Sequence, residues 1–167
     1  VKSVDLDSLK KIQANTAFES VFSIEPMPRY KVSLDMVPEA TDIDINTPDE
    51  NQDYAIVGIL DNGIADIPHL KPWIVDRWSP YPEELRANDH GTFVSGVVVY
   101  GDILEGQDWV GANGLKVLDA CVFPDPTKET LGEDELIANI QEAVKAYGDK
   151  VKVWNLSISV QKPIDEV

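Results

Sequence analysis

Three largely apolar runs organise the chain from residue 54 onward: AIVGIL (55–60), KVLDACVF (116–123) and VKVWNLSI (151–158). The first is continuous and closed by Asp-Asn-Gly, the pattern of a strand buried on both faces of a parallel sheet and ended by a tight turn. Between the second and third, EDELIANIQEAVKAYG places Leu136, Ile137, Ile140, Ala143, Val144 and Tyr147 on one helical face. Acidic residues crowd its first turn, and Gly148 suits the C′ position. Strand, helix, strand with short connections predicts a right-handed crossover and an α/β fold built on a parallel sheet. TFVSGVVVY (92–100) stays ambiguous: its β-branched run favours a strand by propensity, while Phe93, Val94, Val97 and Val98 also fit a helical face.

The first third of the chain has a different texture. DLDSLKKIQANTAF (5–18) carries Leu6, Leu9 and Ile12 at helical spacing, with Asp5 and Asp7 suited to a helix N-terminus. FSIEP and RYKVSLDMVP alternate and stop at prolines, which predicts two short strands or an edge hairpin. PEATDIDINTPDENQD (38–53) then brings six acidic residues and no basic one, a linker or a surface loop. The expected division is a small α+β N-terminal extension with its acidic linker, residues 1–53, followed by an α/β domain, residues 54–167. The chain opens on Val1 with its first Met at position 27, as a piece of a longer chain would.

Composition narrows the partners more than the fold. Thirty Asp and Glu against fourteen Lys and Arg give a formal net charge of −16. Such a surface disfavours phosphate backbones and anionic lipid, so neither nucleic acid nor membrane is an expected partner. Cys121 is the one cysteine; it makes no internal disulfide and, within ACVF, reads as a buried, inert thiol. No apolar stretch reaches bilayer length and VKSVDLDSLKK has no apolar signal core, which together suggest a soluble, cytoplasmic chain.

The chemistry is concentrated in two places. Asp61 ends the AIVGIL run, where the carboxyl edge of an open α/β sheet binds its ligands. Read alone, it is as readily an aspartate capping its own turn. His90, one of two histidines, stands in NDHGTFVSG, where Gly91 lets backbone pass close to other groups. By itself it is a loop histidine. Together, an aspartate that orients an imidazole able to take a hydroxyl proton makes two members of a Ser-His-Asp triad. The order Asp, then His, leaves the serine to follow.

AIVGILDNGIADIPHL, NDHGTFVSG and VWNLSIS resemble, in that order, the aspartate block, the histidine block and the substrate-wall strand of the subtilisin-like serine peptidases. The strand, helix and strand of LKVLDACVF, LGEDELIANIQEAV and KVKVWNLSI follow the same succession, so the resemblance covers roughly residues 54 to 160. It implies a truncated subtilisin-like fold, with Asp61 as the orienting acid and His90 as the general base. It further implies that Ser157, Ile158 and Ser159 offer backbone groups to a polypeptide substrate, with Leu131 and Gly132 as the opposite edge. No cofactor and no metal are implied, and the segment after His90 becomes a helix by analogy. The family's nucleophilic serine and oxyanion-hole asparagine would fall beyond Val167, so this piece is expected to be inactive alone and to need the C-terminal remainder of its own chain. Asn155 belongs to the wall strand and is not the oxyanion residue.

The chain departs from the family pattern at Asn62, Phe93 and Ser95, none expected to handle protons, and at Ser159, where the wall strand commonly ends in glycine. Other residues have plainer roles. His69 reads as solvated or packed, since no second ligand lies at zinc spacing. Trp73, Trp78 and Trp109 read as core or loop anchors. Asp102, Glu105 and Asp108 lack the spacing and glycine of a calcium loop. Two rival readings are a peptide-binding pseudoprotease that has lost its serine and a receiver-type phosphoacceptor at Asp61. The second lacks the acidic pair and lysine that its chemistry needs.

Overall fold

A computed structural model describes residues 29–31, 46–107 and 114–161. Among the described residues, six strands and two α-helices follow in the order β1 (Arg29–Lys31), β2 (Ala55–Asp61), β3 (Ile74–Trp78), α1 (Asp89–Leu104), β4 (Leu115–Cys121), α2 (Glu133–Tyr147), β5 (Val153–Asn155) and β6 (Ser159–Gln161). Four of the strands form one all-parallel sheet in the order β3-β4-β2-β5. The chain is therefore α/β, as the apolar runs predict. The predicted N-terminal helix, the FSIEP strand and Trp109 lie outside the described residues.

Alternation along β2 sets the two layers. Ile59 faces one side and packs with Ile64, Trp73, Val94, Val99, Tyr100 and Val117, the α1 side. Leu60 faces the other and packs with Tyr81, Ala120, Phe123, Leu131, Leu136 and Ala143, the α2 side. A parallel strand flanked this way needs apolar residues on both faces, which is why AIVGIL carries no polar residue. Gly58 interrupts it because the Trp154 ring lies where a Cβ would be.

The TFVSGVVVY ambiguity resolves as helix. Tertiary packing overrides the β preference: Val94, Val99 and Tyr100 are buried against the sheet, while Phe93 and Val97 stay exposed. Gly148 departs from expectation. It sits in the right-handed region at φ −65°, not in the left-handed turn a C′ glycine signals. It is small because a Cβ there would stand 2.8 Å from the Val144 carbonyl oxygen.

The remaining strands were less visible in the pattern. β3 was not anticipated; it follows a single 3-10 turn, Lys71–Trp73, and pairs with β4 across a register shift between Ile74 and Asp76. Trp73 is a core anchor, its indole N–H within 3.1 Å of both the Asn46 carbonyl and the Tyr100 hydroxyl. That bond, with the one from the Asp49 amide to the Tyr54 hydroxyl at 2.7 Å, ties the described part of the acidic stretch to the domain surface. β1 falls within RYKVSLDMVP, and its partner is β6, antiparallel, with Lys31 opposite Ser159. Among the described residues no helix is long and apolar enough to cross a membrane.

Candidate active site

In the sheet order β3-β4-β2-β5, the chain leaves β2 for β3 at one edge, returns through β4, and crosses to β5 on the other side of β2. Open α/β sheets bind ligands where strand order reverses, at the carboxyl ends. Asp61, the last residue of β2, stands at that point. Its carbonyl accepts the Val122 and Phe123 amides at 2.8 and 3.3 Å, which locks its backbone to the end of β4.

The side chain of Asp61 is 1% exposed and meets the ring of His90, 12% exposed. Its Oδ2 and Oδ1 lie 2.8 and 3.1 Å from His90 Nδ1, and Oδ1 also accepts the Asn62 amide at 2.8 Å. Burial pushes the Asp61 carboxyl above the usual carboxylate range, while the Asn62 N–H and the His90 ring pull it back. A carboxylate facing Nδ1 selects the tautomer with its proton there and leaves the Nε2 lone pair free. Among the described residues no hydroxyl hydrogen-bonds to Nε2.

His90 is held at the second position of α1. The helix is entered through Asn88, in the left-handed region at φ 62°. Asn62 straps this entry to β2: its Oδ1 accepts the Gly91 amide at 2.9 Å and its Nδ2 donates to Asp89 Oδ1. Gly91 must be glycine, since a Cβ would collide with the Gly63 carbonyl oxygen, and Gly63 itself has φ +104°. Thr92 Oγ1 accepts the Ala65 amide at 2.7 Å and donates to the Asn88 carbonyl. Buried Ser95 donates to the Gly91 carbonyl at 2.6 Å. In the sequence Asn62 is only a departure from the family pattern; the one signal for the strap is that an amide offers a donor and an acceptor at once.

The other predicted site residues are placed unevenly. β5 pairs with β2 so that Asn155 lies opposite Ile59, two residues before Asp61, and Ser157 follows at the same edge, its Oγ donating to Asn155 Oδ1 at 2.8 Å. Ile158 packs partly onto the core, and Ser159 opens β6. Leu131 is buried in the α2-side core, so only its backbone is left to serve an edge, and Gly132 caps the N-terminus of α2. A depression of about 450 Å³, lined by Asn62, Ala87, Asp89, Phe123, Pro124 and Lys128, adjoins the pair without including either member. His69 is exposed, and Asp102 accepts the Ile103 amide at 2.8 Å, while Asp108 lies outside the described residues. Among the described residues no group of three His, Cys, Asp or Glu side chains is placed to hold a metal ion.

The profile of the subtilase family, peptidase S8, matches residues 52–166. The chain belongs to this family of serine peptidases. No curated protein and no solved structure matches it.

Proposed function

We propose that this chain carries the acid and base of a subtilisin-like endopeptidase, with Asp61 orienting His90 and His90 Nε2 serving as general base. The observation that carries this reading is the 2.8 Å approach of Asp61 Oδ2 to His90 Nδ1 at the reversal point of the sheet. Nε2 takes the proton of a serine hydroxyl supplied by the rest of the full-length chain; the oxygen attacks the peptide carbonyl, and the imidazolium returns the proton to the leaving amine. Asp61 stabilises that imidazolium, and water then hydrolyses the acyl-enzyme by the same route. Without the serine and its oxyanion donors, residues 1–167 hydrolyse nothing on their own.

The substrate on this reading is an extended polypeptide added to the backbone of Ser157, Ile158 and Ser159, facing Leu131 and Gly132. The antiparallel pairing of Arg29–Lys31 with Ser159–Gln161 supports it, because this edge already accepts an added strand in that orientation. Lys31 and a substrate strand would compete at Ser159.

The test is covalent labelling of the full-length chain with a fluorophosphonate that reacts only with an activated serine. Labelling lost in His90→Ala supports the proposal. Undiminished labelling in His90→Ala refutes it. Peptide binding without labelling in the wild-type chain favours the non-catalytic, peptide-binding alternative.

A further inference from the structure

Asp119 lies inside β4, 2% exposed, in a run of apolar residues, and no step proposed above uses it. Its Oδ2 accepts from Arg77 Nη1 at 2.6 Å, while its Oδ1 has no hydrogen-bond partner. The same Nη1 donates to the Ile64 carbonyl at 2.5 Å. One guanidinium therefore joins the Asp119 carboxylate to the Ile64 carbonyl, three residues after Asp61.

The carbonyl oxygen of Gly63, the residue before Ile64, packs against Gly91 too closely to admit a Cβ. Gly91 follows His90 in the first turn of α1. The turn through Gly63 and Ile64 thus links the Arg77–Asp119 pair to the residue beside the imidazole.

We propose that Asp119 and Arg77 are positioning residues for the Asp61–His90 pair: Asp119 holds Arg77, Arg77 holds the Ile64 carbonyl, and the turn so held spaces the end of β2 from the first turn of α1. The guanidinium suits this task because its planar fork reaches a carboxylate and a carbonyl together, which an ammonium does less well. Removing Arg77 leaves the buried Asp119 carboxyl without its cation, and removing Asp119 frees the guanidinium from its anchor, so the geometry depends on both. The effect on rate rests on the catalytic reading of His90; the effect on geometry does not.

The test uses the full-length chain with two readouts: kcat and KM on a peptide substrate, and the downfield proton resonance of His90 Nδ1, assigned by its loss in His90→Ala. Asp119→Asn is expected to lower kcat by about ten- to a hundred-fold with KM nearly unchanged, and to broaden the Nδ1 proton. Arg77→Lys, which keeps the charge and loses the fork, is expected to show the same pattern more weakly, and it carries the test if Asp119→Asn fails to fold. A folded variant with unaltered Nδ1 resonance and kcat overturns the proposal. A wild-type chain without activity whose Nδ1 proton still responds to Asp119→Asn refutes the catalytic reading and leaves the positioning role standing.

Discussion

Asp61 and Asp119 are both buried carboxylates on neighbouring parallel strands, and burial raises the pKa of both. They differ in their partners. Asp61 ends its strand with both oxygens engaged, by a backbone N–H and an imidazole. Asp119 sits inside its strand, opposite Ile59, with one oxygen unpartnered and a guanidinium on the other. An imidazole changes charge near neutral pH, so the attraction to Asp61 strengthens when a proton arrives. A guanidinium stays charged, so the hold on Asp119 follows the ionisation of the carboxyl alone. The first pair is suited to moving a proton and the second to holding backbone still.

The largest expected effect separates these roles. In the full-length peptidase, Asp61→Asn should lower kcat about 10⁴-fold, since an amide favours the wrong tautomer of His90, while the melting temperature moves little; peptide hydrolysis and thermal melts check both. Gly91→Ala attacks the turn that joins the pairs. It should destabilise the fold by about 1–3 kcal/mol through overpacking and lower kcat as well, whereas Gly58→Ala, which overpacks against the Trp154 ring and not against that turn, should cost similar stability with kcat unchanged. Equal effects on kcat would erase the distinction.

Acid titration sharpens the comparison further. Asp119 is pushed up to about 6 in the folded chain, from a reference of 3.8, chiefly by burial. The folded state then binds this proton more tightly than the unfolded one, so the contribution is complete below pH 3.8 and is lost as pH rises through about 6. Urea unfolding across that window should show about 1–3 kcal/mol of declining stability from this group, and Asp119→Asn should flatten the decline. At the small end, Lys71→Ala removes an exposed pair with Asp66 and should leave the melting temperature unchanged.

Much of this architecture was legible along the chain because burial on two faces writes itself as unbroken apolar runs. AIVGIL, KVLDACVF and the amphipathic EDELIANIQEAV marked β2, β4 and α2 directly. TFVSGVVVY did not mark α1, because three consecutive valines favour extended backbone until a sheet is present to pack against. The Asp61–His90 contact spans 29 residues and was expected only by resemblance, since neither residue is distinctive alone. The Arg77–Asp119 pair spans 42 residues and escaped notice: KPWIVDRW has no clean period, and β3 meets β4 across an irregular register. A signal did exist. A lone aspartate inside KVLDACVF has to find a cationic or hydrogen-bonding partner once buried, although nothing in the sequence says which.

The most direct measurement is kcat/KM for peptide hydrolysis by the full-length chain and by its His90→Ala variant, with folding verified by near-ultraviolet circular dichroism. If His90 is the base held by Asp61, the wild type cleaves and the variant falls by at least about 10⁴-fold. A folded variant that cleaves within a few-fold of the wild type would contradict the catalytic role of the pair.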